Sequence, residues 1–500
     1  MGETPYDVWS LVTSFLPNDD VEKLCGVNRQ LREFGLDARF REVKLNKHDS
    51  GMKRLCEMLS GDELGTHVRK LTIEPWLVQP RTKTYISRSE NLWNRVNTFF
   101  NAKYMEQEAE RRVQKRINKD IKRVTNAVQR LKNVDEYQIL YDERSTKRHP
   151  QLIEAFLSPT LEAFGSSLKK LTIKVPFDLL QHLSYVRLPQ LQEFDVYLCT
   201  GDAPMEEVKY ALDGFFVFVH NLRSLEHLGV SATSCSRNLD LSYFSKRWGA
   251  FPHLKSFSLC IPFNGTLLSS SEDLYEWIIK PHAGSLEKLR LSASSGALAP
   301  QGSLPPDHHF WIQRILKSSF STPFPRLCEV ELALRPLKAE LTYLHTFLKL
   351  HSATLKKVCL TDRVLNIHEI VELFKSLESS PGHQNYDLEA LEIKVDVLSA
   401  QLLVLIAQQF PQLKALDLAF MDLVGNKNSE HGGNNPQLRL SSFADAMHSY
   451  SMTVFSDWNL RALNLIGSPS TSPWINDLAR ILRRHFPPSV QVDHLSAPSL

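Results

Sequence analysis

Few residues in this chain stand where bond-making chemistry could be done. Asp307, His308 and His309 are three metal-ligating types in a row. Adjacent histidines do not share a face in regular structure as an H-x-x-x-H pair does, so no metal site is expected there. The paired acids Glu206-Glu207 and Asp19-Asp20 read as first-turn helix residues, where the helix dipole favours negative charge. The sequence has no G-x-x-x-x-G-K-[ST] phosphate loop, no G-x-G-x-x-G after a strand and no G-x-S-x-G elbow. Seven cysteines stand singly with no C-x-x-C pair, as expected of reduced thiols. Of these, Cys25, Cys199, Cys260, Cys328 and Cys359 fall inside apolar patterns and are expected to be buried small hydrophobes. No catalytic residue, metal ligand or cofactor is expected, and the remaining chemistry is that of binding.

The elements that would carry binding residues repeat. Phe410-Pro411-Gln412-Leu413 runs into Leu416 and Leu418; Phe251-Pro252-His253-Leu254 into Phe257 and Leu259; Phe324-Pro325-Arg326-Leu327 into Val330 and Leu332; Leu188-Pro189-Gln190-Leu191 into Phe194 and Val196. Proline, lacking an N–H, is read as stopping a preceding helix. The alternating apolar residues make a short strand with one buried face. Without the proline, copies start at Val68, Leu168, Leu225, Leu286, Leu355, Leu388 and Leu460, with a weaker one over Leu131 to Tyr137. About twelve such units make a repeat array with one continuous core. Helical segments lie between them: Leu152 to Phe164, Met205 to His220, Ser271 to Ile279, Phe310 to Phe320, Leu341 to Leu350, Ile367 to Leu377, Ser399 to Phe410 and Trp474 to Phe486.

The 500 residues are 42% hydrophobic and 23% charged, the balance of an ordinary soluble protein. A net charge of +3 draws the chain to neither nucleic acid nor membrane. Glu3 and Asp7 with no apolar h-region predict no signal peptide, and apolar runs such as Leu402 to Ala407 are too short to span a bilayer. A cytoplasmic or nuclear location is expected.

Residues 1–45 differ in kind. Pro5 precedes Val8, Trp9, Leu11, Val12, Phe15 and Leu16 at helical spacing; Pro17 to Asp20 is a turn; Val21, Leu24 and Val27, then Leu31, Phe34 and Leu36, mark two more helices. Three helices in about forty residues bury little surface and need a partner to cover the rest. Pro5-x-x-Val8-x-x-Leu11-Val12-x-x-Phe15-Leu16 followed by Asp20-Val21-x-x-Leu24-x-x-Val27-Asn28-Arg29-x-Leu31-Arg32 resembles an F-box, with Thr4 where that family has leucine and Phe40 near its usual tryptophan. The resemblance implies that Pro5, Val8, Leu11, Val12, Phe15, Leu16, Val21, Leu24, Val27 and Leu31 dock onto the Skp adaptor, and through it a cullin. The subsequent repeats would hold a target protein. They resemble degenerate leucine-rich repeats, with spacing more irregular than the roughly 20–29 residues of regular ones. A plain helical cap on the first repeat is the alternative.

The expected fold is α/β: the three-helix module, then an irregular leucine-rich-repeat solenoid over residues 46–495 with strands concave and helices convex, then a disordered tail at 496–500. The outward strand positions Thr72, Thr172, Asp195, Ser258, Arg290, Glu331, Cys359, Glu392, Asp417 and Asn464 form the candidate target face, with Asp195, Arg290, Glu331, Glu392, Asp417 and Asn464 foremost. An insertion at about 88–132 carries an apolar stripe, Ala109, Val113, Ile117, Ile121, Val124, Val128 and Leu131, on an otherwise basic helix. Its basic face is solvated, or meets an acidic partner, or meets nucleic-acid phosphates; no aromatics interleave after Tyr104, which argues against a base-stacking platform. Ser292 to Pro306 and Gly425 to Gln437 read as loops.

Overall fold

The computed structural model describes residues 5–46, 49–61, 63–74, 104–141, 150–233, 235–236, 238–294, 309–338, 341–377, 388–424, 436–450, 452–467 and 474–496. Asp307, His308, most of the Ser292–Pro306 loop, residues 425–435, residues 88–103 and the 497–500 tail lie outside these spans. The chain divides into two compact units, Met1–Glu226 and His227–Leu500.

In the first unit α1 (Tyr6–Ser14), α2 (Asn18–Lys23), a 3-10 turn (Leu24–Gly26) and α3 (Arg29–Phe40) lead into the strands. Strands β1 (Glu42–Leu45), β2 (Lys70–Ile73), β3 (Glu136–Leu140), β4 (Lys170–Lys174) and β5 (Glu193–Leu198) pair in that order, all parallel. Helices Ser50–Leu59, Tyr104–Val128, Pro150–Phe164 and Met205–Val219, with a 3-10 helix at Phe177–Tyr185, join them. The second unit continues the pattern with β6 (His227–Ala232), β7 (Ser256–Pro262), β8 (Lys288–Ser294), β9 (Glu329–Ala333), β10 (Lys357–Thr361), β11 (Ala390–Ser399), β12 (Ala415–Val424), β13 (Ala462–Gly467) and β14 (Gln491–Ser496), again in order and parallel.

The alternating pattern explains the strands. Leu168, Leu171 and Ile173, and likewise Leu413, Leu416 and Leu418, are fully buried on the helix side, each worth about 1.5–3 kcal/mol in transfer energy. Strand starts share one main-chain device. The carbonyl just before a strand accepts two N–H groups from the next repeat: Arg41 from Arg69 and Lys70, Asp135 from Lys169 and Lys170, Lys255 from Glu287 and Lys288, Lys414 from Arg461 and Ala462. The weak copy proposed at Leu131 sits three residues later, because Tyr137 pairs in register with Leu71 and Leu171, which makes Val134, Tyr137 and Ile139 its buried set.

The prolines act differently from the sequence reading. In each Pro-containing line the leucine N–H donates to the carbonyl three residues back: Leu254 to Phe251, Leu327 to Phe324, Leu413 to Phe410, Leu191 to Leu188. Each proline therefore occupies the second position of a turn, where its fixed φ is favoured. At Phe410 alone does it also follow a helix end directly, Ala400–Gln409. In two repeats a buried histidine completes the turn. The Phe251 N–H donates to His282 Nε2 (2.9 Å) and the Phe324 N–H to His351 Nε2 (3.1 Å). Each ring donates from Nδ1 to its own helix, to the Ile278 and Phe347 carbonyls at 2.6 and 2.8 Å.

Other sequence expectations are adjusted. Of the five cysteines expected inside, only Cys359 is fully buried; Cys56, on helix Ser50–Leu59, joins it. The helix expected over Ser271 to Ile279 is α-helical to Leu274 and continues as a π turn. Helices Leu241–Arg247, Pro436–Ser449 and Met452–Ser456 were not expected. In the basic helix, Ile117, Val124 and Val128 are buried, whereas Val113 and Ile121 are half-exposed and the buried Asp120 pairs with Arg123 at 2.9 Å.

Candidate functional site

Two surfaces carry the residues singled out from sequence. The first is the helical module. Pro5 starts α1, its carbonyl accepting from Val8 and Trp9 N–H, and Pro17 starts α2 in the same way toward Asp20 and Val21. Asp19 and Asp20 lie in the first turn of α2, as the dipole favours. Asn28 caps α3 by accepting from the Leu31 N–H at 2.8 Å. The Tyr6 and Phe34 rings stack at 4.8 Å and hold α1 on α3. Gly35 lets α3 approach the preceding turn, since a Cβ there would sit 2.0 Å from Cys25 Sγ and 3.1 Å from the Val21 carbonyl oxygen. Three side-chain contacts reach α3 from the segment between helix Ser50–Leu59 and β2: His67 Nδ1 lies 2.6 Å from Asp37, its Nε2 3.7 Å from Glu33, and Glu63 pairs with Arg32 at 2.9 Å.

The ten residues expected to dock a partner divide into two roles. Val21 and Leu31 are buried at 5% and 2% exposure, so they hold the helices together and cannot touch another protein. Pro5, Val8, Leu11, Val12, Phe15 and Val27 are exposed, and Leu16 and Leu24 are half-buried. Leu11, Phe15 and Val27 reach 62%, 80% and 65% exposure, whereas Tyr6, on the other side of α1, is engaged by Phe34. Elsewhere in the described residues large exposed apolar side chains are scattered along the chain, which needs no explanation. Val8, Leu11, Val12 and Phe15 share one side of α1 at helical spacing and form an apolar strip of the kind that marks an interaction site.

The second surface is the strand face turned away from the helices. Within the first unit Lys44, Thr72, Gln138, Thr172 and Asp195 are partners along one register row. Within the second, Gly229, Ser258, Arg290, Glu331, Cys359, Glu392, Asp417, Asn464 and Asp493 form another. All ten expected outward positions fall in these rows. Thr72, Thr172 and Cys359 are nonetheless buried, because neighbouring side chains close over short ones. Arg290 pairs with Glu331, which also accepts from the Ser292 hydroxyl at 2.9 Å, and Asn464 donates to Asp417. Burial, with the Glu392 carboxylate beside it, pushes the Cys359 thiol well up, so it is an inert neutral group. An open cleft of about 280 Å³ lies over β6 to β10, lined by His227, Ser258, Lys288, Arg290, Glu331 and Lys357 among others.

Two residues back along each strand runs a row that sequence reasoning missed. In the first unit it reads Glu42, Lys70, Glu136, Lys170, Glu193, a strict alternation of charge. Lys70 meets Glu136 at 3.2 Å and Lys170 meets Glu193 at 2.7 Å, an ion-paired hydrogen bond that raises the Lys170 pKa. In the second unit Lys288 pairs with Glu329 at 2.9 Å, and farther on the row becomes Ala390, Ala415 and Ala462. Each charge reads singly as an ordinary solvent-facing strand residue, and only the register reveals the row.

Comparison with protein-family models and with curated proteins gives no match to this chain. Among the described residues no three His, Cys, Asp or Glu side chains group to hold a metal, and no helix is long and apolar enough to cross a membrane.

Proposed function

We propose that this protein is the substrate-recognition subunit of a Skp–cullin–F-box ubiquitin ligase, acting in the cytosol or nucleus and contributing binding surfaces and no catalytic group. Its helical module would hold the Skp adaptor and its strand face a target protein. The observation that supports this reading is the uncovered apolar side chains of Val8, Leu11, Val12, Phe15 and Val27 on a module whose third helix is capped by Asn28 and stacked against the first. Burying five such side chains supplies on the order of 10 kcal/mol before the costs of association. A helical cap on a repeat array needs no such surface; it presents polar residues outward.

The test is capture of purified Skp adaptor by the full chain, by a chain lacking residues 1–45 and by the Leu11→Ala/Phe15→Ala double variant. Because Leu11 and Phe15 are mostly exposed, the double substitution should leave the melting temperature almost unchanged while abolishing capture. Capture that survives in the double variant, or none by the full chain, would leave the second reading: a repeat scaffold for protein binding without ligase association.

A further inference from the structure

A second candidate site lies on the helix side of the second unit, away from that unit's strand face and independent of the adaptor reading. An open cleft of about 480 Å³ separates helix Trp311–Ser319 from the loop after β9 and from helix Thr342–His351. Three cations line it: Arg314 and Lys317 from the first helix, one turn apart, and Lys338 from the loop. Three hydroxyls line it with them, Ser318, Ser321 and Tyr343.

The walls are fixed by contacts within the fold. The Lys338 main-chain N–H donates to Gln313 Oε1 at 3.1 Å, pinning the loop against the helix, and its ammonium lies 5.5 Å from the centre of the Phe310 ring. Tyr343 is held by stacking on Phe320 at 6.1 Å and 13°. Charge in the cleft is out of balance. Among the described residues its one carboxylate, Glu272, approaches Arg314 only to 3.8 Å with both partners partly exposed, a pair worth little. Lys317 and Lys338 meet no carboxylate among the described residues. Helix Thr342–His351 has no acidic residue in its first turn and no side-chain cap at Leu341, so the positive end of its dipole adds to the cations beside Tyr343.

The Ser321 hydroxyl donates to the Ser318 carbonyl at 3.0 Å, which leaves a guanidinium, two ammonium groups and the Ser318 and Tyr343 hydroxyls as donors around one hollow, a set that matches a compact multivalent anion able to accept several hydrogen bonds at once. We propose that this cleft binds a phosphate group, carried either on a small molecule or on a phosphorylated side chain. A carboxylate, with two oxygens and one charge, would satisfy fewer of these donors. The hollow is larger than phosphate alone, leaving room for the group that bears it.

Isothermal titration of the full chain with inorganic phosphate, with a five-residue phosphoserine peptide and with its serine and glutamate counterparts tests this. One-site binding is expected for phosphate or phosphopeptide and at least tenfold weaker binding for the serine and glutamate peptides. Arg314→Gln/Lys338→Gln should weaken it at least tenfold, whereas Lys280→Gln, an exposed lysine that lines neither cleft, should not. A phosphopeptide tighter than phosphate by tenfold assigns the phosphorylated side chain; equal or weaker binding assigns the small molecule. Circular dichroism melting of the double variant separates loss of the site from loss of the fold. Absence of saturable binding, or binding unaffected by the double substitution in a folded variant, overturns the proposal.

Discussion

Gly35 and the two turn-closing histidines show how single residues carry disproportionate weight. At Gly35 an added methyl would meet Cys25 Sγ at 2.0 Å, far inside contact distance. Gly35→Ala should therefore cost about 1–3 kcal/mol through overpacking, despite alanine's better helix propensity. Urea denaturation of the full chain measures this, and an unchanged or raised midpoint would refute the reading. The histidines are constrained more tightly still. In His282 and His351 one ring nitrogen donates and the other accepts from a main-chain N–H, so neither ring can take a proton without setting two donors face to face. Neither role was legible in sequence, since the partner phenylalanine lies 31 and 27 positions away and a lone histidine at a helix end looks like any other.

At the scale of elements, the strands were the most legible part of the chain. Leu-x-x-Leu-x-Leu combines a period of two with the residue that best fills a core, and Leu286, Leu289 and Leu291 or Leu388, Leu391 and Ile393 sit where that pattern places them. What the pattern could not give was the reach of the outward row. Thr72 and Thr172 alternate correctly yet are buried, because exposure depends on the length of neighbours in adjoining strands. Helices Leu241–Arg247 and Pro436–Ser449 escaped notice, the first being short and the second carrying apolar residues without a clean stripe. The two faces of one strand should respond oppositely to alanine. Leu416→Ala, from a fully buried site, should lose about 2–5 kcal/mol. Asp417→Ala, one residue along on the outward row, should stay within about 1 kcal/mol, losing its hydrogen bond from Asn464. Equilibrium denaturation of both variants decides it; equal losses would mean that the assignment of faces is wrong.

Across the whole molecule, response to acid should be uneven. His282, His345, His351 and His485 all belong to residues 227–500, and in each burial holds the pKa below the ordinary histidine value of 6.5. His485 is depressed further by His448 and Arg484, while Glu372 and Glu369 partly oppose the shift at His345. A group depressed in the folded state binds more protons when unfolded. Its stabilising effect is complete above pH 6.5 and is lost as pH falls from there toward the folded value. Hydrogen exchange tracked from pH 7.5 to 5.5, corrected for intrinsic rates, should show protection falling first around Phe251 and Phe324. Uniform loss along the chain, or none, would count against it. The charged row on β1 to β5 has a different kind of consequence. Because Glu42, Lys70, Glu136, Lys170 and Glu193 alternate, removing β3 with its helix would bring Lys70 beside Lys170, and duplicating any one repeat would set like against like. Removing β3 and β4 together would bring Lys70 beside Glu193 and keep the alternation. Repeat number in this part of the chain thus obeys a parity rule: lineages can lengthen or shorten it in twos at little electrostatic cost, and in ones only with a compensating charge reversal.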